Sequence, residues 1–292
     1  MKIVLSKLPN SGWWPNGIPK YKDNPAMMEG LVPNIELLKK ERDNLIATIK
    51  SKGYKIIEID FPKELDKQNP RHDFIFIRDS FISNQNGTII ILRAGEPQRR
   101  IENKIVKKSL KNLNMEIIEM PNNPDIRADG GEFYYCAKEK ILFSGLQRNT
   151  IKGAQFVADR FKVNQMIILE GKGYHLDTFF TPVLGTDSQI IALIACTKII
   201  TRKSKKVLFQ FSDEKKVPIF DIPESDAIGT KKVIGSFAVN ALPLPGLLIR
   251  PFKFSDSSID QRLKAMGIEI EITKTSQFQM SGGSVHCITN EL

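Results

Sequence analysis

Apolar residues recur along this chain with two spacings. Over residues 34–52 they follow the 3.6-residue period of a helix: Ile35, Leu38, Leu45, Ile46 and Ile49 share one face, Pro33 and Asn34 open the segment and Gly53 closes it. The same period predicts a helix from Pro97 with Ile101, Ile105, Leu110 and Leu113 inward. It predicts another from near Thr150 with Ala154, Val157, Ala158 and Phe161 inward, and a last one over 257–266, stopped by Gly267. Between them lie short runs rich in β-branched and aromatic residues, which predict strands at 55–60, 74–82, 88–92, 115–120, 141–144, 166–169, 206–211 and 247–252.

The predicted helices start near 34, 97, 150 and 257, and the last interval is close to twice the one before it. One unit of a repeat has thus lost a clear helix. Five units of about 58 residues, each a strand, a helix and further strands, describe a repeat that closes radially around a central site. No Pro/Gly/Ser-rich linker divides the sequence, so residues 1–292 are expected to form a single domain.

Composition narrows the picture. Hydrophobic residues at 41% and charged residues at 26%, with no glycine period, exclude a disordered or fibrous chain. The longest apolar run, 190–196, has seven residues, where a membrane-spanning helix needs about 20. The first apolar residues give way to Lys7 before a signal-peptide core can form, so a soluble, cytoplasmic protein with no membrane partner is expected. Cys136, Cys196 and Cys287 are an odd count without a CxxC pair, which argues against a disulfide framework and a structural zinc site. The net charge of +10 is dispersed and not gathered in a stripe, which argues against a nucleic-acid partner. Residues 9–33, with Trp, Asn and Gly, read as a surface loop.

Four segments set acids, His or Cys beside apolar strands or glycine turns. They are Asp73-Phe-Ile-Phe-Ile-Arg-Asp79, Asp129-Gly-Gly-Glu132, His175-Leu-Asp-Thr178 and Gly282-Gly-Ser-Val-His-Cys-Ile-Thr289. Cys136 and Cys196 fall in β-rich apolar runs and read as buried small hydrophobes, whereas Cys287 follows a Gly-Gly pair and is the candidate nucleophile. Its proton-transfer partner must be one of three histidines. His175 is favoured because Asp177, two residues on in a strand, would return to the same face. His286 should face away from Cys287 in an extended segment and support it structurally, and His72 has no evident role. Carboxylates converging on a cysteine raise its pKa unless the substrate brings positive charge, so Asp73, Asp79, Asp129 and Asp177 suit a small cationic ligand such as a guanidinium.

Together these four segments resemble the guanidino-group-modifying enzymes of the pentein superfamily: arginine deiminase, agmatine deiminase, dimethylarginine dimethylaminohydrolase and the amidinotransferases. The resemblance spans nearly the whole chain and implies a five-bladed α/β propeller with a central active site. It implies that Cys287 attacks the guanidinium carbon, that His175 protonates the leaving amine and then activates the acceptor, and that Asp129 orients His175. Asp79 and Asp177 would grip the guanidinium nitrogens, with Asp73 a further contact, and neither metal nor organic cofactor would be needed. Pro97-Gln-Arg-Arg100 resembles a segment that supplies an arginine, read here as Arg100, to the substrate carboxylate; Arg148, one place before Asn149, is the second candidate. Asp177 and Arg78 resemble enzymes of unmethylated guanidines more than dimethylargininases. The implied activity is hydrolysis of arginine or a related guanidine to citrulline or another ureido product. Transfer of the amidino group to an amine is the alternative, and a ribosome-associated factor of the same architecture, without chemistry, is the alternative of another class.

Overall fold

The computed structural model describes residues 1–10, 28, 30–66, 72–230 and 233–292, so most of the 9–33 segment lies outside the described residues. Among the described residues, five three-stranded sheets alternate with five long helices. Sheet one pairs β1 (Lys2–Ser6) in parallel with β2 (Lys55–Ile59) across helix α1 (Ile35–Ser51). Sheet two holds β3 (Phe81–Ser83), β4 (Thr88–Ile91), α2 (Arg100–Leu110) and β5 (Glu116–Glu119); sheet three β6 (Phe133–Cys136), β7 (Ile141–Ser144), α3 (Ile151–Phe161) and β8 (Gln165–Ile168). The fourth has β9 (Phe180–Leu184), β10 (Ile190–Ala195), α4 (Arg202–Lys215) and β11 (Ile219–Asp221), and the fifth β12 (Leu242–Leu244), β13 (Leu247–Arg250), α5 (Ser257–Ala265) and β14 (Glu269–Ile272). In each of sheets two to five an antiparallel hairpin is followed by a helical crossover to a parallel third strand, the connection parallel pairing requires.

Sheet one completes the same pattern from both ends of the chain. Its antiparallel member is β15 (Asn290–Glu291), whose residues Glu291 and Asn290 pair with Ile3 and Val4 of β1. Leu292 and Lys2 exchange backbone hydrogen bonds at 2.8 and 2.9 Å, which ties the two termini together. The edge strands β3, β6, β9, β12 and β15 face a common centre: Ser83, Tyr134, Pro182, Pro243 and Asn290, one from each, line a single cavity of about 30 Å³. This is the five-bladed α/β propeller that the repeat implies.

Burial on one face explains the helices. α1 is capped by the Asn34 side chain, which accepts from the Leu37 N–H at 3.0 Å, and it buries Leu38, Leu45, Ile46 and Ile49 in the cluster that holds Ile3 and Leu5 of β1. α3 is capped by Thr150 and sets Ala154, Val157, Ala158 and Phe161 against Ile90 of sheet two and Leu142 of its own sheet, fastening neighbouring blades. In α2 the inward stripe runs through Glu102, Asn103, Val106 and Leu110, while Ile101, expected inward, is 44% exposed. A 3-10 turn at Pro97–Arg99 enters the helix and shifts its phase.

Two further expectations are corrected. The run at 206–211 is not a strand: it lies within α4, capped by Thr201, and Ser204, Leu208 and Phe211 are buried at helical spacing. The fourth unit therefore has its helix, and the long ones begin at 35, 100, 151, 202 and 257. Val207-Leu-Phe-Gln-Phe211 has local β preference, but its flanking lysines and Phe209, 48% exposed, occupy the solvent side of an amphipathic helix. The stretch at 74–82 forms two 3-10 turns, His72–Ile75 and Ile77–Ser80, before the short β3. Phe74 to Ile77 are buried throughout, so hydrophobic periodicity carries no signal of conformation there.

Helical placement of α4 makes two neighbouring residues unequal. Leu208→Ala should destabilise the protein by about 2–5 kcal/mol, as deletion of a packed core side chain does. Phe209→Ala should stay within about 1 kcal/mol. Urea denaturation of both variants checks this, and equal losses would contradict the helix.

Candidate active site

Four of the five inner strands are preceded by a turn that carries chemistry. The turn Ile77–Ser80 before β3 holds Asp79, Gly130–Glu132 before β6 follows Asp129, and Leu176–Thr178 before β9 holds Asp177 and follows His175. The turn before β15 holds His286 and Cys287. The same step of the repeat thus delivers residues separated by up to 208 positions to one end of the ring. A cavity there is lined by Asp73, Asp79, His175 and Cys287, with Arg99 and Arg148 among its other walls. Its free volume of about 20 Å³ holds a water molecule.

His175 stands between two acids. Its Nε2 lies 3.0 Å from Asp129 Oδ2 and its Nδ1 3.6 Å from Asp79 Oδ1. Burial alone would lower the imidazole's pKa, but Asp79 and Asp129 outweigh it and raise the value to about 9, so the ring is cationic at neutral pH. Asp129, fully buried, would be raised by burial, yet its hydrogen bond with His175 and the charges of His175 and Arg148 hold it well below the usual carboxylate range. Its other oxygen accepts the Gly95 N–H at 2.7 Å, and its backbone N–H donates to Asn149 Oδ1 at 2.8 Å. Gly131 permits the approach: a Cβ there would lie 2.6 Å from His175 Nδ1 and 3.0 Å from Asp79 Oδ1.

Asp177, expected with Asp79 to grip the ligand, is fully buried behind Cys287 and is absent from the cavity lining. The segment His175-Leu-Asp-Thr178 is a 3-10 turn with His175 as its N-cap and not a strand, so His175 and Asp177 do not share a strand face as alternation suggested. The Thr178 N–H and hydroxyl both donate to the His175 carbonyl, at 3.2 and 2.6 Å, which closes the turn. Asp177 Oδ2 accepts from His286 Nδ1 at 2.8 Å and from the Cys287 thiol at 3.4 Å, while Oδ1 is buried with no hydrogen-bond partner. Burial and the Arg78 charge lower the His286 pKa, so it meets Asp177 as a neutral N–H donor; this bond helps keep the Asp177 pKa low against burial. His286 is stacked on Tyr134 with centroids 4.3 Å apart, within the wall of the central cavity. Burial, then Asp177 and Asp79, push the Cys287 thiol well above its ordinary range, so the resting sulfur is protonated. Cys136 and Cys196 are also buried and shifted upward, but lie away from this cavity.

The two candidate arginines part company. Arg100 donates from Nε to the Ala94 carbonyl at 3.1 Å and is absent from the lining, which has its neighbour Arg99 instead. Arg99 is 3% exposed and pairs with Asp79 at 2.5 Å and with Glu102 at 2.8 Å, and it donates to the Asp73 carbonyl at 2.9 Å. The 3-10 turn ahead of α2 decides which of the two adjacent arginines points inward, and adjacency in sequence carries no such information. Arg148 stands over the Tyr174 ring at 5.5 Å and 3.8 Å from Asp129. Asn149 beside it tethers backbone, and Glu132 accepts the N–H groups of Arg148 at 2.6 Å and Leu176 at 2.9 Å, so the fourth position of the Asp-Gly-Gly-Glu turn fastens the His175 segment. Sequence reasoning missed Arg99, Tyr174 and Asn240; Asn240 has no motif around it, and only its equivalent place before β12 in the repeat could have pointed to it. Among the described residues no group of three or more His, Cys, Asp or Glu side chains is arranged to hold a metal ion.

No family model matches the chain. Solved structures do. The N-terminal domain of ArgZ, covalently bound to a reaction intermediate, superposes with a TM-score of 0.79 at 20% identity over 99% of this chain and 96% of that one. A cysteine-to-serine variant of the same domain bound to substrate, described as an arginine dihydrolase from the ornithine-ammonia cycle in cyanobacteria, gives 0.79 at 19%, over 99% and 98%. Against whole ArgZ this chain spans 40% of the length. A dimethylarginine dimethylaminohydrolase adduct gives 0.71 at 15% over 100% and 99%. The chain therefore shares the fold of these structures.

The raised His175 pKa rests on its carboxylates, which gives it a testable sign. Because the folded value exceeds the ordinary 6.5, the pairing stabilises the protein fully below pH 6.5 and that contribution is lost as pH rises through about 9. Histidine titration by NMR should find His175 near 9, and Asp129→Asn should lower it and flatten the fall of Tm between pH 6.5 and 9.

Proposed function

We propose that this protein is a cysteine-dependent hydrolase of the guanidino group of arginine or a related guanidine, giving citrulline or another ureido product. One observation carries the reading: a protonated histidine and a cysteine thiol face one cavity inside a shell of buried carboxylates, and one of those carboxylate oxygens, Asp177 Oδ1, has no partner. A guanidinium supplies in-plane N–H donors for such an oxygen and the positive charge that the shell lacks. The similarity in fold to an arginine dihydrolase and to a dimethylarginine dimethylaminohydrolase supports the same class of substrate.

In the reading, the bound cation opposes the pull of Asp177 and Asp79 on the sulfur and favours its ionisation. As the cation binds, the Cys287 thiol gives up its proton to solvent, and the thiolate adds to the guanidinium carbon, forming a C–S bond while the C=N π pair moves onto nitrogen. His175, cationic before the reaction, passes its proton to the departing nitrogen as the C–N bond breaks, leaving an amidino group on Cys287. The neutral imidazole then takes a proton from water, whose oxygen adds to the same carbon; the C–S bond breaks, the ureido product leaves and the thiol is restored. Asp129 steadies the imidazolium in the first step and reclaims it in the second. Asp73 and Asp79 are placed to meet the guanidino end, and Arg99 and Arg148 are the arginines of the cavity wall.

Incubation with arginine should yield citrulline and ammonia by mass spectrometry, and Cys287→Ser should lower turnover by at least about a thousandfold. A product carrying the amidino group on an added amine would favour transfer over hydrolysis. Unchanged turnover in Cys287→Ser would sink the assignment of the nucleophile.

The resting thiol's protonated state gives a second test. A cationic alkylator, chloroacetamidine, should inactivate the enzyme faster than neutral iodoacetamide at pH 7, and Asp177→Asn should shrink that ratio. A ratio of one in the unaltered protein would show that the carboxylate shell does not select cations.

A further inference from the structure

The fifth blade also presents a side chain from the turn before its inner strand. That residue is Asn240, two positions before the start of β12 and fully buried. Its Oδ1 accepts the backbone N–H groups of His286 at 3.0 Å and Cys287 at 3.3 Å. Two N–H groups facing one end of the amide fix which end is oxygen, so Nδ2 must point the other way. There it donates to the Asp177 carbonyl at 3.0 Å and to Cys287 Sγ at 3.2 Å. Sγ itself is turned toward the Asp177 carboxylate, an acceptor that favours the thiol over the thiolate. The Asn240 amide is the opposing group: a donor aimed at the sulfur, held in place by three hydrogen bonds to backbone.

We propose that Asn240 is a catalytic residue that stabilises the Cys287 thiolate through Nδ2–H, and that its oxygen sets the sulfur's position by holding the 286–287 backbone. This rests on the reading of Cys287 as nucleophile. A preorganised N–H dipole in a water-poor site stabilises an anion without reorganising when the charge forms. The same amide bonds the carbonyl of Asp177, so blades four, five and one meet at a single side chain.

Asn240→Asp tests this with little change of volume, since one carboxylate oxygen still accepts from the two backbone N–H groups while the other replaces a donor by an acceptor. Alkylation of Cys287 by iodoacetamide, followed on the Cys287 peptide by mass spectrometry and without any guanidine present, should slow about tenfold at pH 8 and shift its profile to higher pH. With substrate, kcat should fall about a hundredfold and KM much less. A residue that only braced the loop would lower Tm and leave the alkylation profile where it was. Should the variant fail to fold, the unaltered protein still decides: the Asn240 side-chain amide resonance should move as the Cys287 thiol titrates. An alkylation profile unchanged in a folded Asn240→Asp, or an amide resonance indifferent to that titration, would overturn the proposal. If guanidines are not turned over but the profile and the resonance shift as stated, the substrate reading fails and the role of Asn240 stands.

Discussion

Burying carboxylates around a thiol is expensive, and the structure is arranged to offset that cost. Asp73, Asp79, Glu102, Asp129, Glu132 and Asp177 are buried in or beside the cavity, against the cations Arg99, Arg148 and a protonated His175. Burial raises Glu102 and Glu132 to about 7, which relieves part of the excess by partial protonation. The rest is met by directed contacts: Arg99 on Asp79, His175 on Asp129, His286 on Asp177. What remains is a surplus of negative charge in a place of low dielectric, which selects a cation and repels an anion. The raised thiol and the raised imidazole are two consequences of that one field.

The fold supplies this arrangement by repetition. Three inner strands follow directly on a 3-10 turn, and these turns carry Asp79, Glu132 and Asp177. Residues far apart in sequence therefore converge without long loops, and the antiparallel pairing of β15 with β1 fixes the Cys287 turn against its neighbours. Arg78 reinforces that closure: its Nε donates to the His286 carbonyl at 3.2 Å and its Nη1 to Glu291 Oε2 at 2.6 Å.

Much of this was legible in the residues. Periodicity located α1, α3 and α5 to within a residue or two, because their apolar faces are clean and their ends carry Asn34, Thr150 and Gly267. The motif residues Asp73, Asp79, His175 and Cys287 were each recognisable, and the structure sets them around one cavity. The failures share a cause. α4 was mistaken for a strand because a dense apolar pentad hides its phase, and 74–82 because a segment buried on all sides has no phase to show.

The sequence by itself determined the number of repeats to within one obscured helix and which cysteine, histidine and aspartates stand in the motifs that the structure draws together. Those follow from composition and local spacing, which are properties of the chain before it folds. Tertiary structure alone decided that Arg99 and not Arg100 turns inward, that Asp177 is bound by His286 and the thiol through one oxygen and left open at the other, and that Asn240 meets the sulfur. Each depends on the phase of a single 3-10 turn or on contact between blades. Hydrogen-bond direction is set to within tenths of an ångström by packing that joins residues more than a hundred positions apart, and no local pattern encodes it.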